Sequence, residues 1–267
     1  MSLCLTILGC GSSAGVPRVG QGWGACDPFN PRNRRRRCAA LIERIGPGGV
    51  TTALVDAGPD LREQLIEADV RHVDGVLLTH PHADHTHGID DLRPLYLTAR
   101  RRLDILMDEP TALIVRNSFS YIFKTPSGSS YPAIATDLRL TAGSPCRIEG
   151  KGGSIEATPF DLDHGDINAL GFRFGALAYT PDVKRIPEES RQFLEGLEVW
   201  IVDALRYRPH PSHFSLDDAL AEIEAMRPRR AILTNLHTDL DYETLLKHLP
   251  THIVPAYDGM RVEGFAG

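Results

Sequence analysis

The sequence lacks several features, and each absence excludes a class of protein. No apolar run approaches the roughly 20 residues needed to span a bilayer, so no membrane partner is expected. Cysteine is scarce: Cys4, Cys10, Cys26, Cys38 and Cys146 are odd in number, scattered and without a CxxC pair, which argues against a disulfide framework. There is no basic excess either. Twenty-nine Lys and Arg against 35 Asp and Glu leave a net charge of −6, which speaks against wrapping duplex DNA by bulk electrostatics. The opening Leu3–Leu8 run is short, has no basic flank and leads straight into a glycine-rich turn, unlike a secretory signal. A reducing cytoplasm is the expected compartment.

What is present suits a globular enzyme. At 267 residues, 42% apolar and 24% charged, the chain is expected to form one domain over residues 1–267. Strands are expected at Leu3–Leu8, Cys38–Ile45, Thr52–Asp56, Gly75–Thr79 and Asp104–Met107 in the first half. In the second half they are expected at Ser154–Phe160, Leu170–Phe174, Leu177–Thr180, Val199–Asp203, Arg230–Thr234 and His252–Pro255. The helical stretches are Asp60–Ala68, Ile89–Arg100, Thr111–Tyr121, Pro187–Leu194, Ser215–Met226 and Tyr242–His248. Two successive blocks of strands and helices suit an α/β fold with two sheets inside and helices outside.

Histidine is the informative residue, with eleven copies, four of them between His80 and His87. An apolar run, Val76-Leu77-Leu78, ends at Thr79-His80-Pro81-His82-Ala83-Asp84-His85. His80 and His82, two apart in an extended segment, project the same way, and Asp84 and His85 follow as the chain turns toward a helix. Imidazole and carboxylate together hold zinc, manganese or iron. The bland alternative is a solvated His-rich loop. Against it, His164 follows the Ser154–Phe160 strand, Asp182 follows Leu177–Thr180, and His237 follows Arg230–Thr234. Ligand-type residues thus recur just past the ends of several strands, where layered α/β proteins build sites.

The segment His80-Pro81-His82-Ala83-Asp84-His85, then His164, Asp182 and His237, resembles the HxHxDH…H…D…H signature of the metallo-β-lactamase superfamily of two-metal hydrolases. The resemblance implies a four-layer αββα sandwich with a dinuclear site at one sheet edge. It implies that His80, His82 and His164 hold one divalent metal ion and Asp84, His85 and His237 the other. Asp182 and a hydroxide would bridge them, with Asp56, in Leu54-Val55-Asp56-Ala57-Gly58, behind the ligands. Two such cations lower the pKa of bound water to near 7 and neutralise an anionic substrate. The ions are expected to be zinc or manganese, with iron as a further candidate.

The opening Ile7-Leu8-Gly9-Cys10-Gly11-Ser12-Ser13-Ala14-Gly15-Val16-Pro17 is similar to the phosphodiesterase branch. Pro209-His210-Pro211-Ser212-His213-Phe214-Ser215 resembles its phosphoribosyl cyclic phosphodiesterases, which implies that His213 protonates the leaving oxygen, with His210 as competitor. The catalytic set is then His213, Asp84 and Asp182, acting on a small anionic, cyclic phosphodiester. RNA, as in the tRNA 3′-processing relatives, is a weaker expectation, as is thioester or lactam hydrolysis; a homodimer is a further one. The accessory zinc site of the best-known cyclic phosphodiesterase is not matched: its cysteine loop retains only Cys26, and Leu240 stands at its histidine position.

Asp163, Asp203 and Asp239 are candidate partners for the free nitrogens of ligand histidines. Arg206, with Tyr207 and Arg208, is a candidate substrate contact. The run Arg32-Asn33-Arg34-Arg35-Arg36-Arg37 reads either as a phosphate-attracting rim or as a solvated loop. Gly9-Cys10-Gly11-Ser12-Ser13-Ala14 also fits GxGxxA, but the glycines and prolines that follow exclude the helix a nucleotide-binding module needs. A non-catalytic metal-binding module would be expected to have lost ligands.

Overall fold

The computed structural model describes residues 2–266. Period-two alternation builds the first sheet. In β1 (Ser2–Gly9) the residues Leu3, Leu5 and Ile7 enter one apolar layer, while Leu8 enters another. The same division separates Ala40 and Ile42 from Ala39 and Leu41 in β2 (Ala39–Gly46), and Ala53 and Val55 from Leu54 in β3 (Gly49–Val55). Three parallel additions, β4 (Gly75–Leu77), β5 (Leu103–Met107) and β6 (Ala135–Arg139), extend this sheet.

The second sheet repeats the plan. An antiparallel meander of β7 (Cys146–Ile148), β8 (Ile155–His164), β9 (Ile167–Phe174) and β10 (Leu177–Thr180) comes first. The parallel strands β11 (Val199–Asp203), β12 (Arg230–Thr234) and β13 (Ile253–Pro255) follow. Finally β14 (Met260–Ala266) returns to pair antiparallel with β1, closing a seven-stranded order β14-β1-β2-β3-β4-β5-β6 against β13-β12-β11-β10-β9-β8-β7.

One apolar cluster fills the space between the sheets, joining Leu5, Ile42 and Val55 to Phe172, Tyr179 and Ile201. A second lies outside the first sheet, under α1 (Leu61–Glu67), α3 (Arg93–Ala99), α4 (Glu109–Ser118) and α5 (Ser120–Phe123); the short α2 (Ala83–Thr86) contributes no residue to it. A third lies outside the second sheet, under α6 (Leu216–Met226) and α7 (Tyr242–His248). The architecture is a four-layer αββα sandwich, as expected. Among the described residues no helix is long and apolar enough to cross a membrane.

Some local expectations change. The strands β6, β7 and β14 lie where the sequence offered none: β6 is mostly exposed, β7 has three residues, and the alternation of β14 is broken by a register shift opposite Leu3 and Cys4. The expected helix at Ile89–Arg100 divides into a 3-10 turn, Ile89–Leu92, and α3, with Pro94 in the first turn of α3. The helix expected at Thr111–Tyr121 starts earlier, because Asp108 caps it by accepting from the Thr111 N–H at 2.9 Å.

Pairing directions decide where side chains meet. β1 and β3 both run antiparallel to β2, and β4 is parallel to β3; β8 and β10 both run antiparallel to β9, and β11 and β12 are parallel to β10. The C-terminal ends of these strands therefore collect at one edge. There Leu236 N–H donates to the Cys10 carbonyl at 2.8 Å, and Leu170 N–H donates to the Thr79 carbonyl at 2.8 Å. These bonds tie the two sheets together around the histidine-bearing segments.

Candidate metal centre

Six strand ends supply the polar groups of this edge. Asp56, next after β3, has φ +66°, in the left-handed region that short polar residues tolerate. That turn lets its carboxylate reach back under the next strand end. Oδ1 accepts from Thr79 N–H at 2.9 Å, and Oδ2 accepts from His85 Nδ1 at 2.7 Å. Gly58 follows because α2 runs against it: a Cβ there would stand 2.0 Å from the Asp84 carbonyl oxygen.

Partners behind the histidines orient their rings. Thr79 Oγ1 donates to Asp56, so it accepts from His80 Nδ1 at 2.9 Å. His164 Nδ1 donates to the Ser212 carbonyl at 2.6 Å, and His213 Nδ1 donates to Asp203 Oδ2 at 2.8 Å. With Nδ1–H held from outside, His80, His85, His164 and His213 each turn Nε2 inward. His82, just before α2, presents Nδ1 instead, 2.9 Å from His80 Nε2 and 3.3 Å from His164 Nε2.

The donor atoms of His80, His82 and His164 lie within 4.8 Å of one another. So do those of His80, His85 and Asp182, and those of His164, Asp182 and His213. Asp182 is central: Oδ1 is 3.3 Å from His85 Nε2, and Oδ2 is 3.8 Å from His80, 3.6 Å from His164 and 4.0 Å from His213. Its buried Oδ1 has no hydrogen-bond partner. Asp84 joins through His85, with Oδ2 3.4 Å from His85 Nε2. Lone pairs of nitrogen and oxygen converge here with few protons between them. That is the donor set of a divalent-cation site, and the residues fit one.

Electrostatics follow from burial and from the carboxylates. Burial drives His80 well below the usual histidine range and lowers His164 and His82. Burial would lower His85 too, but Asp182, Asp56 and Asp84 outweigh it and hold its pKa well up. Burial would raise Asp182, yet His85, His213 and His80 pull it well down. His213 is pushed up to about 9, because Asp203 and Asp182 overcome the effect of burial.

The remaining predicted residues join none of these three groups. His237 belongs to none of the three groups: Asp239 Oδ1 accepts from Nδ1 at 3.1 Å, and Arg18 Nη1 sits 2.6 Å from Nε2. Asp163 partners no histidine. Alternation along β8 leaves Asp161 and Asp163 half exposed while Leu162 and His164 are buried, so Asp163 pairs with Arg185 at 2.7 Å instead. Arg206 donates to the carbonyls of Arg208 and Pro209, which holds its own loop. His210 stacks beside His213, ring centres 5.1 Å apart, with Nδ1 3.2 Å from Ser212 Oγ. His87 closes α2 and packs against Phe119.

Most of the arginine run is tied down by the fold. Arg32 lies over the rings of Tyr242 and Tyr257, and Arg35 is fully buried, donating to Asn33 Oδ1 and the His237 carbonyl. Arg36 pairs with Glu67 and Asp258, and Arg37 with Asp60. Only Arg34 is exposed without such a tie among the described residues.

Sequence reasoning passed over Thr79, Ser212 and Arg18. A hydroxyl beside the first ligand could have pointed to Thr79. A backbone acceptor such as Ser212 leaves no mark in sequence.

Comparison with known proteins agrees with this geometry. A beta-lactamase superfamily domain model matches residues 51–235. An octanoyltransferase of Porphyromonas gingivalis is 32% identical over 257 residues, 95% of this chain; the chain spans only 50% of that relative's length. The crystal structure of a diphosphatase from the PhnP family superposes with a TM-score of 0.88 at 32% identity, covering 99% of this chain and 98% of that one. The zinc-bound PqqB of Methylobacterium extorquens shares the fold, with a TM-score of 0.76 at 16% identity over 97% of this chain and 99% of its own.

Proposed function

The chain belongs to the beta-lactamase superfamily, and from that premise we propose that it is a metal-dependent hydrolase of small phosphoric diesters. One observation carries the reading. His213 brings Nε2 to the same carboxylate, Asp182, around which the other inward-facing lone pairs gather. A proton donor thus stands beside a cation-type donor set, as cleavage of a phosphoryl–oxygen bond requires. The similarity to a PhnP-family diphosphatase at 32% identity supports phosphorus rather than carbonyl carbon as the centre attacked.

His80, His82 and His164 would hold one ion, and Asp84 and His85 the second, with Asp182 shared; His237 would join the second ion by turning Nε2 from Arg18, which it faces at 2.6 Å. Bound there, the ions would supply an acidified water at neutral pH and positive charge for the phosphoryl oxygens. Asp56 fixes the His85 tautomer by accepting its Nδ1–H, and Thr79 does the same for His80. Asp203 accepts from His213 Nδ1, which aligns the ring and favours its protonated form. His213 then delivers the Nε2 proton to the departing oxygen.

Beside Pro81 a cleft of about 580 Å³, lined by Ile114, Asp161 and Asn168 among others, has room for the body of a small ester. Acyl transfer on sulfur is not supported, because burial pushes the Cys38 and Cys10 thiols up, away from the thiolate such chemistry uses. The reaction is expected in the cytoplasm, with a small anionic substrate as the partner.

Protein loaded separately with zinc, manganese or iron should hydrolyse bis-p-nitrophenyl phosphate faster than a thioester or a lactam. The His213→Asn variant should lose about 10²- to 10⁴-fold in kcat while keeping its metal. A thioester or lactam preference would overturn the phosphorus assignment, and metal loss in the variant would overturn the role of His213.

A further inference from the structure

Asp203 is not alone at Nδ1 of His213. The side chain of Asn235 comes up against the same nitrogen, with Nδ2 3.0 Å from it, while Asp203 Oδ2 lies 2.8 Å away. Asn235 follows β12 and is buried. An amide taken out of water costs free energy unless it is bonded. Among the described residues, the Asn235 amide makes this one hydrogen-bond contact.

The backbone here is fixed on both sides. Ala204 N–H donates to the Thr234 carbonyl at 3.0 Å, and His237 N–H donates to the Leu205 carbonyl at 3.0 Å. Between these bonds Asn235 stands at φ +61°, in the left-handed region. Asparagine tolerates that conformation, but glycine adopts it at less cost. The turn alone therefore asks for no amide.

His213 Nε2 points to the centre, 4.0 Å from Asp182 Oδ2. A proton donor loses a proton in each turnover and regains one, so for part of the cycle the ring has a single proton for two nitrogens. Asp203, as a carboxylate, only accepts, and it grips Nδ1 only while that atom carries hydrogen. The amide has both capacities. Its Nδ2–H donates to a bare Nδ1, and Oδ1, brought round by a half-turn, accepts from Nδ1–H. We infer that Asn235 is a positioning residue for His213: alongside Asp203 it holds the ring at Nδ1, so that Nε2 stays aimed at the Asp182 cluster whichever nitrogen carries the proton. This rests on the proton-donor reading of His213. Asn235 acts through the ring and takes up no proton itself.

The test removes the amide and spares the turn. Asn235→Gly keeps a backbone free to stand in the left-handed region. Made in the parent and in His213→Asn, it completes a double-mutant cycle on metal-loaded protein with bis-p-nitrophenyl phosphate. In the parent, Asn235→Gly should lower kcat about tenfold, the worth of about one hydrogen bond, with KM and bound metal unchanged. In His213→Asn the same change should cost less than about twofold, because the ring it acts through is gone. Imidazole nitrogen NMR spectra of the zinc-loaded protein give a second readout. With the His213 signals assigned by their loss in His213→Asn, the Nδ1 resonance should be displaced in Asn235→Gly.

An equal loss of kcat in both backgrounds would overturn the inference, as would an Asn235→Gly variant that matches the parent or an unmoved Nδ1 resonance. Loss of bound metal in Asn235→Gly would overturn it too, and would give the residue to the turn that carries His237. Turnover by His213→Asn as fast as the parent would instead sink the proton-donor reading, a result on which the Nδ1 resonance does not depend.

Discussion

The two densest charged regions, the histidine–aspartate cluster and the Arg32–Arg37 run, are organised in opposite ways. In the cluster, the partners Asp56, Thr79, Asp203 and the Ser212 carbonyl hold the rings from outside, and the inward lone pairs meet one another. In the arginine run, donors meet acceptors that the fold itself provides: Asp60, Asp258, Asn33 and the His237 carbonyl. The first arrangement leaves a deficit that a cation removes. In the second most donors are met, the buried Nε of Arg35 being an exception, and the run secures its own loop. Charge density alone therefore says little about function; unmet hydrogen-bonding and charge capacity says more.

The largest expected effects break the cluster. His80→Ala and Asp182→Asn should each abolish turnover and lower bound metal, measured by elemental analysis of dialysed protein. Asp56→Asn, one shell further out, should keep the ligands and cost about 10- to 100-fold in metal affinity. Equal metal affinity in that variant would mean that Asp56 serves the β3 turn alone.

Smaller effects should mark the arginine run. Arg35→Ala removes a fully buried side chain and three donated hydrogen bonds, so denaturant unfolding should show a loss of about 4 kcal/mol. Arg34→Ala, at an exposed position, should stay within about 0.5 kcal/mol. Comparable losses at both positions would erase the distinction drawn between them.

Asp258 sharpens the same contrast through pH. Burial pushes its carboxyl up to about 6 despite Arg36, against 3.8 for an ordinary aspartate. Between about pH 4 and 6 the folded protein keeps a proton there that the unfolded chain has released. Its contribution to stability should therefore be greatest on the acid side of that window and fall as pH rises through it, levelling above about 6. At 1.36 kcal/mol per pH unit, the contribution is at most about 3 kcal/mol. Urea unfolding across the window should show this slope in the difference between the parent and Asp258→Asn.

Much of the fold was legible because alternation and strand-end punctuation are local. Leu3–Leu8, Val199–Asp203 and the capped α6 read directly from their residues, with Ser215 accepting from Asp218 N–H as a cap should. The edge strand β6 and the three-residue β7 did not, because pairing with neighbours rather than their own pattern makes them strands. The candidate site was legible where ligand types crowd together, from His80 to His85. It was far less so at Arg18, an ordinary arginine in a glycine-rich loop, and at Asp163, whose strand parity turns it away from the cluster.

The sequence by itself determined which side chains could bind a cation and that they follow strands, since residue type and period-two alternation are properties of the chain alone. Only the tertiary structure decided which of them converge. Strand direction brings the ends of β3, β4, β8, β10, β11 and β12 to one edge, and hydrogen bonds from behind choose which ring nitrogen faces inward. Those choices depend on groups up to 48 residues apart in the chain, as with His164 and Ser212, and no local pattern encodes them.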